Sequence, residues 1–314
     1  MTHAKPRHLL AIADLTADGM LGLLDLAAAI KADPRHPRYS QSMTGKTLGM
    51  VFDKPSTRTR ISFEVAMNQL GGSALLMDRQ QSQLGRGETV ADTARTLSRF
   101  LDGIMMRTFG HGIITELASH ATIPVINGLT DLAHPCQALA DLLTVREKFG
   151  RLRGVAMAYV GDGNNVAHSL MQAAARAGMD MRVATPKGYG PDPGQVRLAH
   201  EAARAEGGRL TLGHDPDTAA RGAQALYTDV WTSMGQEAEQ AERRHAFAGF
   251  QINAELMAQA APDAVFMHCL PAHRGEEVSA EVMDGPRSVV FDQAENRLHA
   301  QKAVLFRLLG GDAR

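Results

Sequence analysis

The sequence predicts an α/β fold of two domains, each a parallel sheet flanked by helices, with the active site in the cleft between them. From Thr47 onward short apolar runs alternate with stretches of helical period, and a βαβα alternation builds a parallel sheet. The alternation starts afresh near Val155, after a helix that Gly150 stops. At 314 residues the chain is long for one core and suits two. The expected boundaries are residues 1–149 for the first domain and 150–291 for the second.

Composition narrows the ligand. The formal net charge is −1, with acidic and basic residues interleaved, so there is no broad basic field for nucleic acid or anionic lipid. A small molecule is expected instead. The most apolar early run, Met20 to Ile30, is broken by Gly22 and Asp25 and falls far short of the ~20 residues a membrane span needs. No apolar signal core follows Met1 to His8, and the expected location is the cytoplasm. Cys136 and Cys269 are too few and too far apart for a disulfide framework. Each follows a histidine within two residues, His134 and His268, but neither pair has structural-zinc spacing, and no metal is expected.

Taken in order, Thr16 or Asp18 caps a helix to about Lys31 that turns Leu23, Leu24, Ala27 and Ile30 to one face. Thr47 to Phe52 reads as a buried strand. The helix after it carries Ile61, Val65 and Leu70 near helical period and ends at Gly71-Gly72. Between them lies Ser56-Thr57-Arg58-Thr59-Arg60. Pro55 suits the turn, and the first N–H groups of a helix lack intrahelical acceptors, so they receive an anion with the positive dipole end behind them. Ser56, Thr57 and Thr59 offer hydroxyls, and Arg58 offers a planar fork that matches two phosphate oxygens. Two arginines in a first helical turn oppose the dipole's preference for acidic residues, which points to a negative ligand. Arg60 has Glu64 four residues on as its partner. The stretch is a predicted phosphate cradle built without glycines.

A strand at Ala74 to Met77, a polar loop from Asp78 to Glu88, a helix from Ala91 to Leu101 and a strand at Ile104 to Met106 follow. Arg107 comes directly after that strand, at the carboxyl edge where ligands approach open α/β sheets. His134 stands at the N-terminus of a helix from Ala138 to Phe149 that has Pro135 in its first turn and Leu139, Leu142, Leu143 and Val145 as its stripe. Beside the cradle and Arg107, it is a candidate donor to a carbonyl oxygen. In the second domain a strand ending at Val160 runs into Gly161-Asp162-Gly163-Asn164-Asn165-Val166 and a helix to about Ala177. Val166 occupies the third glycine position of a dinucleotide fingerprint, and the next strand, Met181 to Ala184, ends in Thr185 in place of a ribose-binding acid. Nicotinamide binding is therefore not expected. Strands at Ala223 to Tyr227 and Val265 to Met267 deliver Asp229 to Gly235 and His268 to Pro271 to the same edge. A helix from Asn296 to Leu309 ends the chain, with Arg297 in its first turn.

Phe52 to Arg60 resembles the carbamoyl phosphate signature of the aspartate and ornithine carbamoyltransferase family. His134-Pro135-Cys136-Gln137 is similar to the family's second signature, and Asp229 to Gly235 to the Asp-x-x-x-Ser-Met-Gly motif of its ornithine enzymes. Matching segments occur in order over nearly the full chain. The resemblance implies transfer of the carbamoyl group of carbamoyl phosphate to the δ-amine of L-ornithine, giving L-citrulline and phosphate, without metal or organic cofactor. These residues serve arginine synthesis and arginine breakdown alike, and synthesis is the direction expected. It implies that Ser56, Thr57, Arg58, Thr59, Arg107, His134, Pro135, Cys136, Gln137, Cys269, Leu270 and Arg297 bind carbamoyl phosphate. Gln83, in Ser82-Gln83-Leu84-Gly85-Arg86-Gly87-Glu88, would reach it from the adjacent subunit of a homo-oligomer, expected to be a trimer. Asn165, Asp229, Ser233 and Met234 would bind ornithine, and the C-terminal helix, 292–314, would pack back on the first domain.

Carbamoyl phosphate carries a good leaving group, so the chain must hold it, polarise its carbonyl and present a neutral amine at attack distance. Arg107, His134 and Thr59 are the candidates to stabilise the carbonyl oxygen. An alkyl ammonium titrates near ~10 and must first lose a proton. Asp229 as orienting carboxylate and Cys269 as acceptor are its protein partners, with the substrate phosphate as a third choice. A putrescine or aspartate enzyme lacks support from the Ser-Met-Gly loop, and a dehydrogenase lacks its acidic fingerprint. A non-catalytic binding module would not explain Arg107, His134 and Cys269 together.

Overall fold

The computed structural model describes residues 8–78, 83–233 and 235–310, without the side chains of Leu84 and Arg86. The chain divides into two compact units, Met1–Leu143 with Asn296–Arg314, and Thr144–Glu295.

The first unit is built on β1 (Thr47–Phe52), β2 (Ser73–Asp78), β3 (Gly103–Arg107) and β4 (Val125–Leu129), all parallel, in the order β2-β1-β3-β4. β1 and β3 read as near-continuous apolar runs because both their faces are covered. Val51, Ile104, Met106 and Val125 pack on Ala94, Ile114, Leu117 and Ala118 of the helices Val90–Leu97 and His111–His120. The first of these helices stops short of the expected Leu101, where the Ser98 hydroxyl turns back to the Ala94 carbonyl. The helix His111–His120 and β4 go beyond the sequence expectation, since Pro124 and Gly128 interrupt the apolar run that carries the strand.

The helix Thr57–Gln69 buries Thr59, Phe63, Ala66 and Met67, with buried Leu70 as its C-cap. This replaces the expected stripe, because Ile61 is 54% exposed. Phe63, Ala66, Met67 and Leu70 follow i, i+3, i+4, i+7, a narrower arc than Ile61, Val65 and Leu70 would span. The last helix also differs: it runs Val290–Leu305, so Arg297 lies mid-helix and not in a first turn. Asn296, the expected first residue of that helix, lies inside it, and its side chain accepts from Lys31 Nζ at 2.8 Å.

The second unit holds β5 (Ala156–Val160), β6 (Asp180–Ala184), β7 (Arg209–Gly213), β8 (Ala225–Thr228) and β9 (Val265–His268), parallel throughout, in the order β7-β6-β5-β8-β9. Its core joins Val160, Leu226 and Phe266 to Trp231, Phe247, Phe250 and Ile252. Among the described residues no helix is long and apolar enough to cross a membrane.

Strand order places the candidate residues. The first sheet winds from β1 to β2 on one side and from β3 to β4 on the other, so its switch point lies between β1 and β3. The second reverses between β5 and β8. Crevices open at such points, beyond the strands' carboxyl ends.

Candidate active site

At the first switch point Phe52 stands in register with Arg107, so the loops after β1 and β3 leave side by side. The Asp53 N–H donates to the Arg107 carbonyl at 2.8 Å, and the Thr108 hydroxyl to the Asp53 carboxylate at 2.7 Å. Ser56 caps the cradle helix, accepting from the Thr59 N–H at 3.3 Å. Thr57 is exposed, Ser56 and Arg58 are half-buried, and Thr59 is buried. Sequence reasoning missed Lys54, a buried ammonium that pairs with Asp131 and lies 4.1 Å from the Phe109 ring centroid.

Arg297 draws the expected residues of this unit together. Its guanidinium donates to Gln137 Oε1 at 2.7 Å and to Thr59 Oγ1 at 2.9 Å, and stands 3.4 Å from His134 Nε2. Arginine only donates, so that ring nitrogen accepts and the neutral imidazole carries its proton on Nδ1. Burial, then the charges of Arg297, Arg107 and Arg58, hold the imidazole well below its ordinary value of 6.5. Folded His134 therefore refuses a proton that the unfolded chain accepts. Stability from this group is present above about 6.5 and is lost as pH falls toward the folded-state value. Urea titrations at two pH values either side of it check the sign: His134→Gln is expected to lose less stability on acidification than the parent. Equal losses would place the imidazole in water.

Cys136, Pro135 and Gln83 differ in the groups they expose. Cys136 is buried, its thiol donates to the Asn127 carbonyl at 3.7 Å, and burial pushes it up to about 12. Its side chain belongs to the core, leaving its backbone for any ligand. Pro135 has no N–H and offers only its carbonyl. Gln83 opens a short turn, Gln83–Arg86, and is exposed.

At the second switch point Tyr159 and Tyr227 lie in register with rings stacked at 5.8 Å. Asn164 caps the helix Asn165–Arg176, its Oδ1 accepting from the Val166 and Ala167 N–H groups at 2.9 and 3.2 Å. Its Nδ2 donates to Asp229 Oδ2 at 2.8 Å, across the switch point. Asp229 Oδ1 accepts from its neighbour's N–H, Val230, at 2.8 Å and from Cys269 Sγ at 2.9 Å. The expected amine partner is thus a buried carboxylate gripped by three donors, one of them the other expected catalytic group. Asn164 is an addition to the expected Asn165, and the cap preference of asparagine at a helix start was its signal in the sequence.

Asn165 is half-buried at the helix start, and Ser233 is half-buried with its N–H on Gln236 Oε1 at 3.0 Å. Met234 lies outside the described residues. Leu270 adopts a φ of 61°, and its N–H donates to His268 Nδ1 at 2.8 Å, while His268 Nε2 faces Glu277 at 3.2 Å. Asp229, His268 and Cys269 bring an oxygen, a nitrogen and a sulfur within 4.8 Å of one another. Both ring nitrogens of His268 are already engaged, so the imidazole offers no lone pair to a metal in this arrangement.

Two further features bear on the turn after β5. A Cβ on Gly163 would meet Pro191 N at 2.3 Å, so this glycine serves the close approach of two loops and not a pyrophosphate. Arg243, unmarked by any motif, is buried and donates to Asp162, to the Trp231 carbonyl and to Glu239. Asp162 is raised to about 6, chiefly by burial, which Arg243 opposes.

Two doubly wound units, one with arginines at the helix start and strand end beside its switch point and the other with a buried carboxylate beside its own, define a class of two-domain α/β proteins. Residues 7–147 match the family model described as aspartate/ornithine carbamoyltransferase, carbamoyl-P binding domain, and residues 153–308 match the one described as the Asp/Orn binding domain. The chain belongs to the aspartate/ornithine carbamoyltransferase family, as its motifs implied. It is 59% identical over 305 residues to an ornithine carbamoyltransferase of Symbiobacterium thermophilum, covering 97% of this chain and 98% of that one. An anabolic ornithine carbamoyltransferase of Pyrococcus furiosus is 56% identical, with 97% of each chain covered. The solved structure of a Pyrococcus furiosus ornithine carbamoyltransferase superposes with a TM-score of 0.95 at 55% identity, covering 99% of both chains.

Proposed function

We propose that the chain transfers the carbamoyl group of carbamoyl phosphate to the δ-amine of L-ornithine, forming L-citrulline and phosphate. The observation that carries this is Asp229, a buried carboxylate within the Asp-x-x-x-Ser-Met-Gly motif that receives Asn164, Val230 and Cys269. A buried carboxylate so held is suited to attract a cationic amine. On this reading Ser56, Thr57, Arg58 and Thr59 hold phosphate, and Arg107, His134 and Arg297 stabilise the carbonyl oxygen as it becomes negative. Gln137, Cys269 and Leu270 complete the carbamoyl contacts. Asn165, Ser233 and Met234 orient the amino acid, and the ammonium proton passes to the Asp229–Cys269 pair.

The description of the Pyrococcus furiosus relative as anabolic supports arginine synthesis as the direction. Leu75 and Leu76 of β2 are 54% and 44% exposed, and an apolar edge strand of this kind supports a homo-oligomer. We take that oligomer to be a cytoplasmic trimer in which Gln83 serves a neighbour's cradle. Incubation with carbamoyl phosphate and, separately, L-ornithine, putrescine or L-aspartate tests the assignment. Citrulline from ornithine is expected, with phosphate release at least tenfold slower for the other two, since a site built for one set of polar groups rejects substrates that leave them unpaired. Equal or faster release with putrescine or aspartate would overturn it.

A further inference from the structure

Three side chains of the first unit form a buried chain of hydrogen bonds. Arg297 donates to Gln137 Oε1 at 2.7 Å, and Gln137 Nε2 donates to Asp141 Oδ1 at 2.8 Å. Gln137 and Asp141 lie one turn apart on the helix Pro135–Phe149, 1% and 0% exposed. A guanidinium only donates and an ionised carboxylate only accepts, so these two flanks admit one orientation of the amide between them. Turned over, the amide would set its NH2 against the guanidinium and its oxygen against the carboxylate. Both contacts would be repulsive in a site of low dielectric.

We propose that Asp141 is a positioning residue: its carboxylate fixes the Gln137 amide and, through it, the Arg297 guanidinium that also holds Thr59 and approaches His134. The role rests on the carbamoyl phosphate reading of the cradle. Asp141 lies beyond the His-Pro-Cys-Gln segment and has no motif of its own. It touches no reacting atom. Its effect is to present one face of the amide and one rotamer of the guanidinium before ligand arrives, which lowers the ordering cost of binding.

Calorimetry with phosphonoacetamide, a stable carbamoyl phosphate analogue, tests this on the 314-residue chain. Asp141→Leu is expected to weaken binding tenfold or more and Asp141→Asn less than threefold, because asparagine can turn its oxygen to the same amide. In a Gln137→Ala background Asp141→Leu should cost less than twofold further, since the residue acts through that amide. The KM for ornithine should stay within twofold of the parent. Equal losses in both backgrounds, or parental affinity in a folded Asp141→Leu protein, would overturn the proposal. If melting curves show that Asp141→Leu does not fold, Asp141→Ala takes its place in the cycle. Failure of the parent to bind phosphonoacetamide would instead overturn the cradle reading.

Discussion

Asp229→Asn is expected to lower citrulline formation by about 10²–10⁴-fold, the range associated with loss of a positioned proton-transfer group. The change is nearly isosteric, and its effect follows from donors and acceptors. Asp229 Oδ2 accepts from Asn164, and Oδ1 from Val230 and Cys269. An asparagine amide must turn its NH2 toward one of these sides, so a donor meets a donor whichever way it faces. On the proposed function, the charge that would attract the δ-ammonium is lost as well. Steady-state kinetics should show lower turnover with a higher ornithine requirement, while phosphonoacetamide affinity stays within threefold. Parental turnover would remove Asp229 from the chemistry.

Arg58→Ala is expected to weaken carbamoyl phosphate binding by roughly 10- to 150-fold, the equivalent of about 1.5–3 kcal/mol for hydrogen bonds to a charged group. Arg58 is half-buried in the first turn of the cradle helix, whose buried face is Thr59, Phe63, Ala66 and Met67. The fold should therefore survive the change. Arg58 is also one of three positive charges that hold His134 down, so the variant's imidazole should titrate closer to its ordinary value. Calorimetry with phosphonoacetamide reads the first effect, and histidine ring signals in NMR read the second. Affinity within threefold of the parent would contradict the cradle.

The parts of this fold that depend on local signals were legible in the chain. Strand runs such as Thr47–Phe52, the Gly150 stop and the polar turns after β1, β5 and β8 follow from burial, glycine conformation and helix-end chemistry. Of the candidate site, the placing of hydroxyls and arginines at a helix start was legible, because Pro55 and the cap preference of Ser56 mark that start locally. Local pattern carried nothing where a side chain's role depends on contacts remote in sequence, and Arg297 entered through the family resemblance alone. Arg297 reaches Thr59 across 238 positions, and Arg243 reaches Asp162 across 81. No local pattern distinguishes either from a solvated surface arginine. The stripe of the cradle helix failed for a related reason: Ile61 and Phe63 are both apolar, and only the sheet beneath decides which is covered.

On the proposed function, the carbamoyl carbon moves from phosphate to the ornithine nitrogen. Carbamoyl phosphate labelled with 13C follows that carbon directly, by NMR, with the parent protein and ornithine. The label should pass to the ureido carbon of citrulline, one citrulline for each phosphate released, and Asp229→Asn should slow both together. Label released as bicarbonate or cyanate at the parental rate, with no ureido signal, would contradict carbamoyl transfer by this chain.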